Sequence, residues 1–243
     1  MITKKKALQW AMALTLAASA SAAWADADDA RPMDGGDRAP YGSVAGLSIG
    51  GDIGYYTYGM QDVNHRFNQG GSNDINGGLG YGADAKLGLT NHFAAKLGLD
   101  YLFASKNAQR TVGATTYNTT VNLPATMLLI GGEYSLLPLG PVDLKLTGGY
   151  TLVNIYNGKQ TTDNNLDLGS VTGTGSGFQV GLGMEVFLAR GFSLEGDLAY
   201  NYAKIDNATF AGSPAAPGST NSSGTVDYSG VVAKLAFNIY LFR

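Results

Sequence analysis

The feature that most constrains this chain is a strand whose two faces differ in size rather than only in polarity. In "GGLGYGADAKLGLT", residues 77 to 90, one face is Leu79, Tyr81, Ala83, Ala85, Leu87 and Leu89. The other is Gly78, Gly80, Gly82, Asp84, Lys86 and Gly88. Period-two alternation marks a strand with unlike surroundings on its two sides. A water-facing strand carries Thr, Lys or Glu, because glycine weakens a strand and packs nothing. A face of glycine interrupted by a carboxylate and an ammonium needs another setting.

The same alternation recurs, predicting strands at about 44–59, 77–89, 93–104, 121–136, 142–156, 176–189, 192–204 and 227–242. The connections after the second, fourth and sixth strands are short: "TNH" at 90–92, "LPLGP" at 137–141 and "RG" at 190–191. Those after the first, third, fifth and seventh are long and polar, roughly 60–76, 105–120, 157–175 and 205–226. An up-and-down arrangement therefore sorts tight turns to one end and long loops to the other. Outer-membrane barrels have this asymmetry, with short periplasmic turns and long external loops.

One face of the predicted strands is apolar throughout, as in Phe178, Val180, Leu182, Met184, Val186 and Leu188. The opposite face holds Asp52, Asp84, Lys86, Lys96, Asp100, Glu133, Lys145, Glu185, Glu195, Asp197 and Lys234 among Gly, Ala, Ser and Thr. A soluble barrel of the lipocalin kind would turn the apolar face inward. An eight-stranded barrel has little interior volume, and here the charged face is the small one. The expected fold is therefore all-β: an eight-stranded antiparallel up-and-down transmembrane β-barrel, glycine and charge inside, Leu, Phe and Tyr toward lipid. The hairpin around "LPLGP", centred on Leu139, is expected to set Glu133 directly opposite Lys145, and Tyr134 opposite Leu144.

The first segment reads as a signal peptide over residues 1–25. It has Lys4, Lys5 and Lys6, an apolar stretch, then Ala23-Trp24-Ala25 as an A-x-A cleavage site, with cleavage after Ala23 as the alternative. Residues 26–43 are expected to be a periplasmic segment, and 44–243 the barrel. The formal net charge is −3, and removing three lysines makes the mature chain more acidic, which gives no footprint for nucleic acid. The 35 glycines are about twice the usual share. There is no cysteine, hence no disulfide framework, thiolate metal site or thiol nucleophile.

Chemical motifs are few. His92 lies in the short turn "TNHF" and reads as a polar turn residue. His65, in "MQDVNHRFNQGGSND", lies near Asp62, Ser72 and Asp74, a set that acyl transfer could use or that could be an ordinary polar loop. "GTGSG" at 173–177 and "GGSNDINGG" at 70–78 lack the following helix of a phosphate-binding loop, no helix being visible after the signal. Asp163, Asp167, Asp206 and Asp227 lack the spacing of a calcium loop. No catalytic residue, metal site or cofactor is assigned. The loop residues Arg66, Lys106, Arg110, Lys159 and Lys204 are expected to be solvated and available to lipopolysaccharide phosphates.

The signal, the alternating strands, the sorted loops and the closing "KLAFNIYLFR" together resemble the small eight-stranded outer-membrane β-barrel proteins of Gram-negative bacteria. That group includes the OmpA membrane domain, OmpX, the OmpW group and the opacity-type surface antigens. The resemblance implies an outer-membrane location, a lipid and lipopolysaccharide environment, and the barrel assembly machinery as a partner in biogenesis. It implies a structural or surface-interaction role, or a narrow channel for ions or small, possibly apolar, molecules. Some such barrels modify lipid A, but the H-x-S motif of the acyl hydrolases is missing. The OmpA-type peptidoglycan-binding function is not expected, because the sequence ends at the barrel. Phe242 is penultimate and out of phase with Phe237, Ile239 and Leu241, which calls for a bulge or an atypical terminal signal. The oligomeric state is left open.

Overall fold

The computed structural model describes residues 46–67, 74–112, 115–139, 141–162, 167–189, 191–212 and 221–242. The expected signal peptide, residues 1–25, and the expected periplasmic segment, residues 26–43, lie outside these. The strands are β1 (Gly46–Thr57), β2 (Gly77–Gly88), β3 (Phe93–Leu102), β4 (Ser105–Val112), β5 (Thr115–Asn122) and β6 (Ala125–Leu139). They continue with β7 (Val142–Thr162), β8 (Asp167–Ala189), β9 (Phe192–Gly212), β10 (Ser222–Asp227) and β11 (Gly230–Phe242). Antiparallel pairing runs β1-β2-β3-β6-β7-β8-β9-β11 and back to β1, closing an eight-stranded barrel. Closure leaves that ring no unpaired edge, which a sheet crossing hydrocarbon requires.

The outward face is apolar. Ile53, Leu79, Leu182 and Leu198 are each at least 60% exposed. A soluble surface does not carry so many large side chains side by side. Aromatic residues ring both ends of this band. At the loop end Tyr81 stacks on Tyr101, Tyr101 meets Phe103 and Tyr156, and Phe178 stacks on Tyr202. At the turn end Phe192 stacks on Phe237, and the His92 ring lies against Tyr134. Paired girdles of this kind mark the two interfaces of a membrane-spanning barrel.

Three expectations need correction. The segments read as long loops hold much regular structure: β4 and β5 form a hairpin, β7 to β9 run well past their predicted ends, and β10 pairs with β9. Beyond the membrane the outer face meets water, so both faces of "TTYNTTVN" can be polar, and alternation of polarity no longer announces a strand. Second, a short helix, α1 (Gln61–Phe67), follows β1. Its residues Val63 and Asn64 are buried, and Asn64 clamps Ile75: its Nδ2 donates to the Ile75 carbonyl at 3.2 Å and its Oδ1 accepts from the Ile75 amide at 2.8 Å. A helix this short presents too few turns for a 3.6-residue period to show.

Third, Glu133 faces Thr147 and Tyr134 faces Leu146, so the β6–β7 register is displaced by two residues from the expected one. A bulge between Ser135 and Leu137 and the pairing of Leu139 with Val142 move the turn toward Pro141. One extra residue in a bulge re-aims the side chains beyond it, and Leu136 and Leu137 are both exposed. A second irregularity, between Leu47/Phe242 and Ser48/Tyr240, accounts for the phase of Phe242.

Leu182 lies on β8 midway between Phe178 and Phe187. Leu182→Arg is expected to destabilise the folded barrel by about 2–4 kcal/mol if it sits near the bilayer midplane, while Leu182→Val is tolerated. Urea unfolding in lipid vesicles, followed by the mobility of the unboiled protein on gels, reads the difference. Gly183 is no neutral control, because it faces inward under the Asp197 carboxylate.

Candidate functional site: a closed polar lumen

Inside the turn-side half of the barrel, charged side chains from most of the ring meet. Lys86 on β2 pairs with Glu195 on β9 and, at 3.2 Å, with Glu133 on β6. Lys96 on β3 reaches Glu133 at 2.6 Å, Glu195 at 3.5 Å, Asp84 at 3.6 Å and Asp197 at 3.7 Å. Lys145 on β7 pairs with Glu185 on β8 and reaches Glu133 at 3.3 Å and Glu195 at 3.9 Å. Glu133 and Glu195 thus each touch the same three lysines. A second tier lies toward the loops, where Lys234 on β11 holds Asp100 at 2.6 Å and Asp52 at 3.6 Å.

Glu133 and Lys145 share the lumen as a diagonal pair instead of a direct cross-strand one. Long side chains can bridge a two-residue offset on one face. Side chains that the reading of the strands passed over complete the network. Asp143 is fully buried and accepts a hydrogen bond from Ser135 at 2.5 Å; Ser193 donates to Glu185, as does Tyr240 at 2.6 Å. Asn238 donates to Glu195 at 2.9 Å and to Glu185 at 3.3 Å. Carboxylates outnumber lysines in this lumen; Ser193, Tyr240 and Asn238 occupy the Glu185 Oε1 that no ammonium reaches, and Ser135 does the same for the Asp143 Oδ1. Parity alone could have found Asp143 and Asn238, which are in phase with Lys145 and Lys234.

The glycines now have a physical role. A Cβ built on Gly82 would meet the Asp100 carboxylate and lie 2.9 Å from the Asp52 Oδ2. One on Gly50 would meet Asn238 and lie 2.9 Å from the Asp84 Oδ1. The space above each glycine is filled by a polar group from a neighbouring strand.

Polarity changes toward the loop end. There the interior is an apolar cluster that includes Tyr56, Met60, Val63, Leu102, Leu123, Met127, Ile155, Ile205 and Tyr228. Tyr228 donates to the Leu123 carbonyl at 2.8 Å and meets Tyr58 edge-on, with ring centroids 5.4 Å apart. The inner face is therefore small and polar only within the turn-side half, contrary to the uniform reading from sequence. Where the outer face leaves lipid for water, the inner face becomes the place to bury apolar surface.

The predicted lipopolysaccharide contacts separate. Lys159 is exposed. Lys204 pairs with Asp227 at 3.2 Å and lies 5.3 Å over the Tyr202 ring. Lys106 contradicts the expectation of a solvated cation. The β4–β5 register places it opposite Val121 on the inner face, and it is only 5% exposed. Burial lowers its pKa, opposed by the charge of Asp74. The side chains of Arg66 and Arg110 lie outside the described ones, as does Ser72. His65 is exposed on α1, far along the chain from the turn that holds His92. Among the described residues, no His, Asp or Glu side chains converge as metal ligands.

If the cage is a unit, Glu133→Gln should destabilise by about 3–5 kcal/mol, because three buried lysines lose a partner. A cycle with Lys145→Met should show coupling, the double variant losing less than the sum. Urea midpoints in vesicles measure both, and additive losses would contradict the cage.

The comparisons with known proteins agree with the geometry. The model of the outer membrane protein beta-barrel domain matches residues 11–229. Among solved structures, the outer membrane protein OprG of Pseudomonas aeruginosa superposes with a TM-score of 0.58 at 13% identity, covering 84% of this chain and 100% of that one. A major outer membrane protein of Thermus thermophilus gives a TM-score of 0.46 at 15% identity, covering 79% and 98%. The N-terminal β-barrel domain of Pseudomonas aeruginosa OprF gives 0.40 at 10%, covering 80% and 98%. None of the curated proteins matches. With its family model spanning most of the sequence and its strands closing an eight-membered ring, this chain belongs to the outer membrane protein beta-barrel domain family.

Proposed function

We propose that this outer-membrane barrel does not conduct ions, and that its role is structural or lies in surface interaction at the loop end. The observation that carries this reading is Lys96 meeting Glu195 at 3.5 Å. Their strands, β3 and β9, stand diametrically opposite in the ring. An ion pair that spans the diameter leaves no passage at that level. The apolar cluster above it opposes any hydrated ion a second time, since a bare charge in such a medium is costly.

In this reading the short turns face the periplasm and the hairpin β4–β5, helix α1 and the upper parts of β7 to β9 face outward. The signal peptide over residues 1–25 directs export, residues 26–43 remain periplasmic, and the assembly machinery receives the chain. Lys159, with Lys204 beside the Tyr202 belt, supports contact with lipopolysaccharide phosphates. The apolar loop-side interior favours a second reading, passage of small apolar molecules, over an ion channel. We assign no catalytic residue.

Planar-bilayer recordings of the purified barrel test the proposal. Insertion without discrete conductance steps is the expected result. Regular steps from the wild-type protein would overturn the closed lumen and support the channel.

A further inference from the structure

Among the described residues, the interior of the loop end holds one charge that the barrel's architecture does not use. Lys106, Val121 and Gln160 occupy successive strands β4, β5 and β7 at one level, all facing inward and all buried. The Lys106 Nζ is sealed from water and, among the described residues, has no hydrogen-bond acceptor. The lumen lysines of the turn-side half, by contrast, each reach carboxylates. A buried ammonium without a partner is unfavourable. A chain with no use for it would carry an apolar residue, as its partner Val121 does.

We propose that Lys106 is the anion-binding residue of a site for an aliphatic monocarboxylate in the loop-end interior. One ammonium balances one negative charge, and the field of Asp74, which acts on Lys106, disfavours a dianion such as phosphate. Val121 and Leu123, with Val63 of α1 and Ile75, belong to one apolar cluster. The Leu123 amide bonds the Ala104 carbonyl at 2.7 Å, which keeps Leu123 beside the start of β4. An alkyl chain is the ligand body that such surroundings accept without further hydrogen bonds. The site differs from the turn-side cage in strands, in tier and in having a charge left to satisfy, and it does not depend on whether the lumen conducts.

The test uses the folded chain in lipid nanodiscs and carboxyl-labelled octanoate followed by carbon-13 NMR. Saturable binding to wild type is expected. Lys106→Met should weaken it roughly ten- to a hundredfold, the range for losing a charge-assisted hydrogen bond, and Lys106→Arg should restore most of it. Asp74→Asn should tighten binding, and neither 1-octanol nor inorganic phosphate should displace octanoate. Without ligand, Lys106→Met should unfold at a higher temperature than wild type, because it removes an unpaired buried charge. Octanoate signals identical in wild type and Lys106→Met would show bilayer partitioning only and overturn the proposal. Displacement by phosphate would overturn the monocarboxylate assignment. A lower unfolding temperature for Lys106→Met would show that the ammonium has a structural partner, which also overturns it.

Discussion

The ion pairs across the lumen are the interaction on which this architecture depends. An eight-stranded barrel in lipid must spend its apolar residues on the outside, so its interior cannot be filled with Leu and Phe over the membrane-spanning half. Charged side chains fill it instead, and they are stable there only when each finds a partner. Glu133 and Glu195, each shared by Lys86, Lys96 and Lys145, meet that condition from five strands at once. The result is a cross-braced core made of charge. Glycines such as Gly50 and Gly82 follow from it, since the carboxylates need the volume that a side chain would take.

From the level of the loop-end aromatic girdle outward, the same wall reverses its polarity. Tyr56, Leu102, Met127 and Ile155 face inward on strands whose lower inward residues are Asp52, Asp100, Glu133 and Lys145. One strand can serve both regimes because its inward positions change character where the outside solvent changes from lipid to water. The loop end consequently has an ordinary apolar core, closed by α1 and by the Tyr228 bond to Leu123. Two different kinds of packing thus line one lumen in series.

The sequence made the membrane-spanning part legible because period two is unbroken there and the two faces differ in size. It identified the ring, the lipid face and the lysines and carboxylates that meet inside. It misplaced the β6–β7 register, because a bulge at Ser135–Leu137 leaves no mark beyond two adjacent leucines. It missed Asp143, which sits close to a turn, and β4 with β5, where Thr and Asn face both ways. It placed Lys106 in solvent because a lysine in a polar segment reads as exposed until its hairpin register is known. Its reading of the loop-side interior failed for a different reason. One rule for the inner face cannot hold along strands that pass through two environments.

On this account the barrel interior is closed to bulk water, charged below and apolar above, with lipid outside. Cysteine accessibility tests it directly, since the native chain contains no cysteine. Ala199 and Ala236 are buried and inward, while their neighbours Leu198 and Leu235 are exposed on the outer face. Single variants Ala199→Cys and Ala236→Cys in vesicles should resist a water-soluble thiosulfonate reagent. Fluorophores on Leu198→Cys and Leu235→Cys should be quenched by brominated lipid. Rapid reaction of the two inward positions from bulk water would show an open, hydrated lumen and contradict the account.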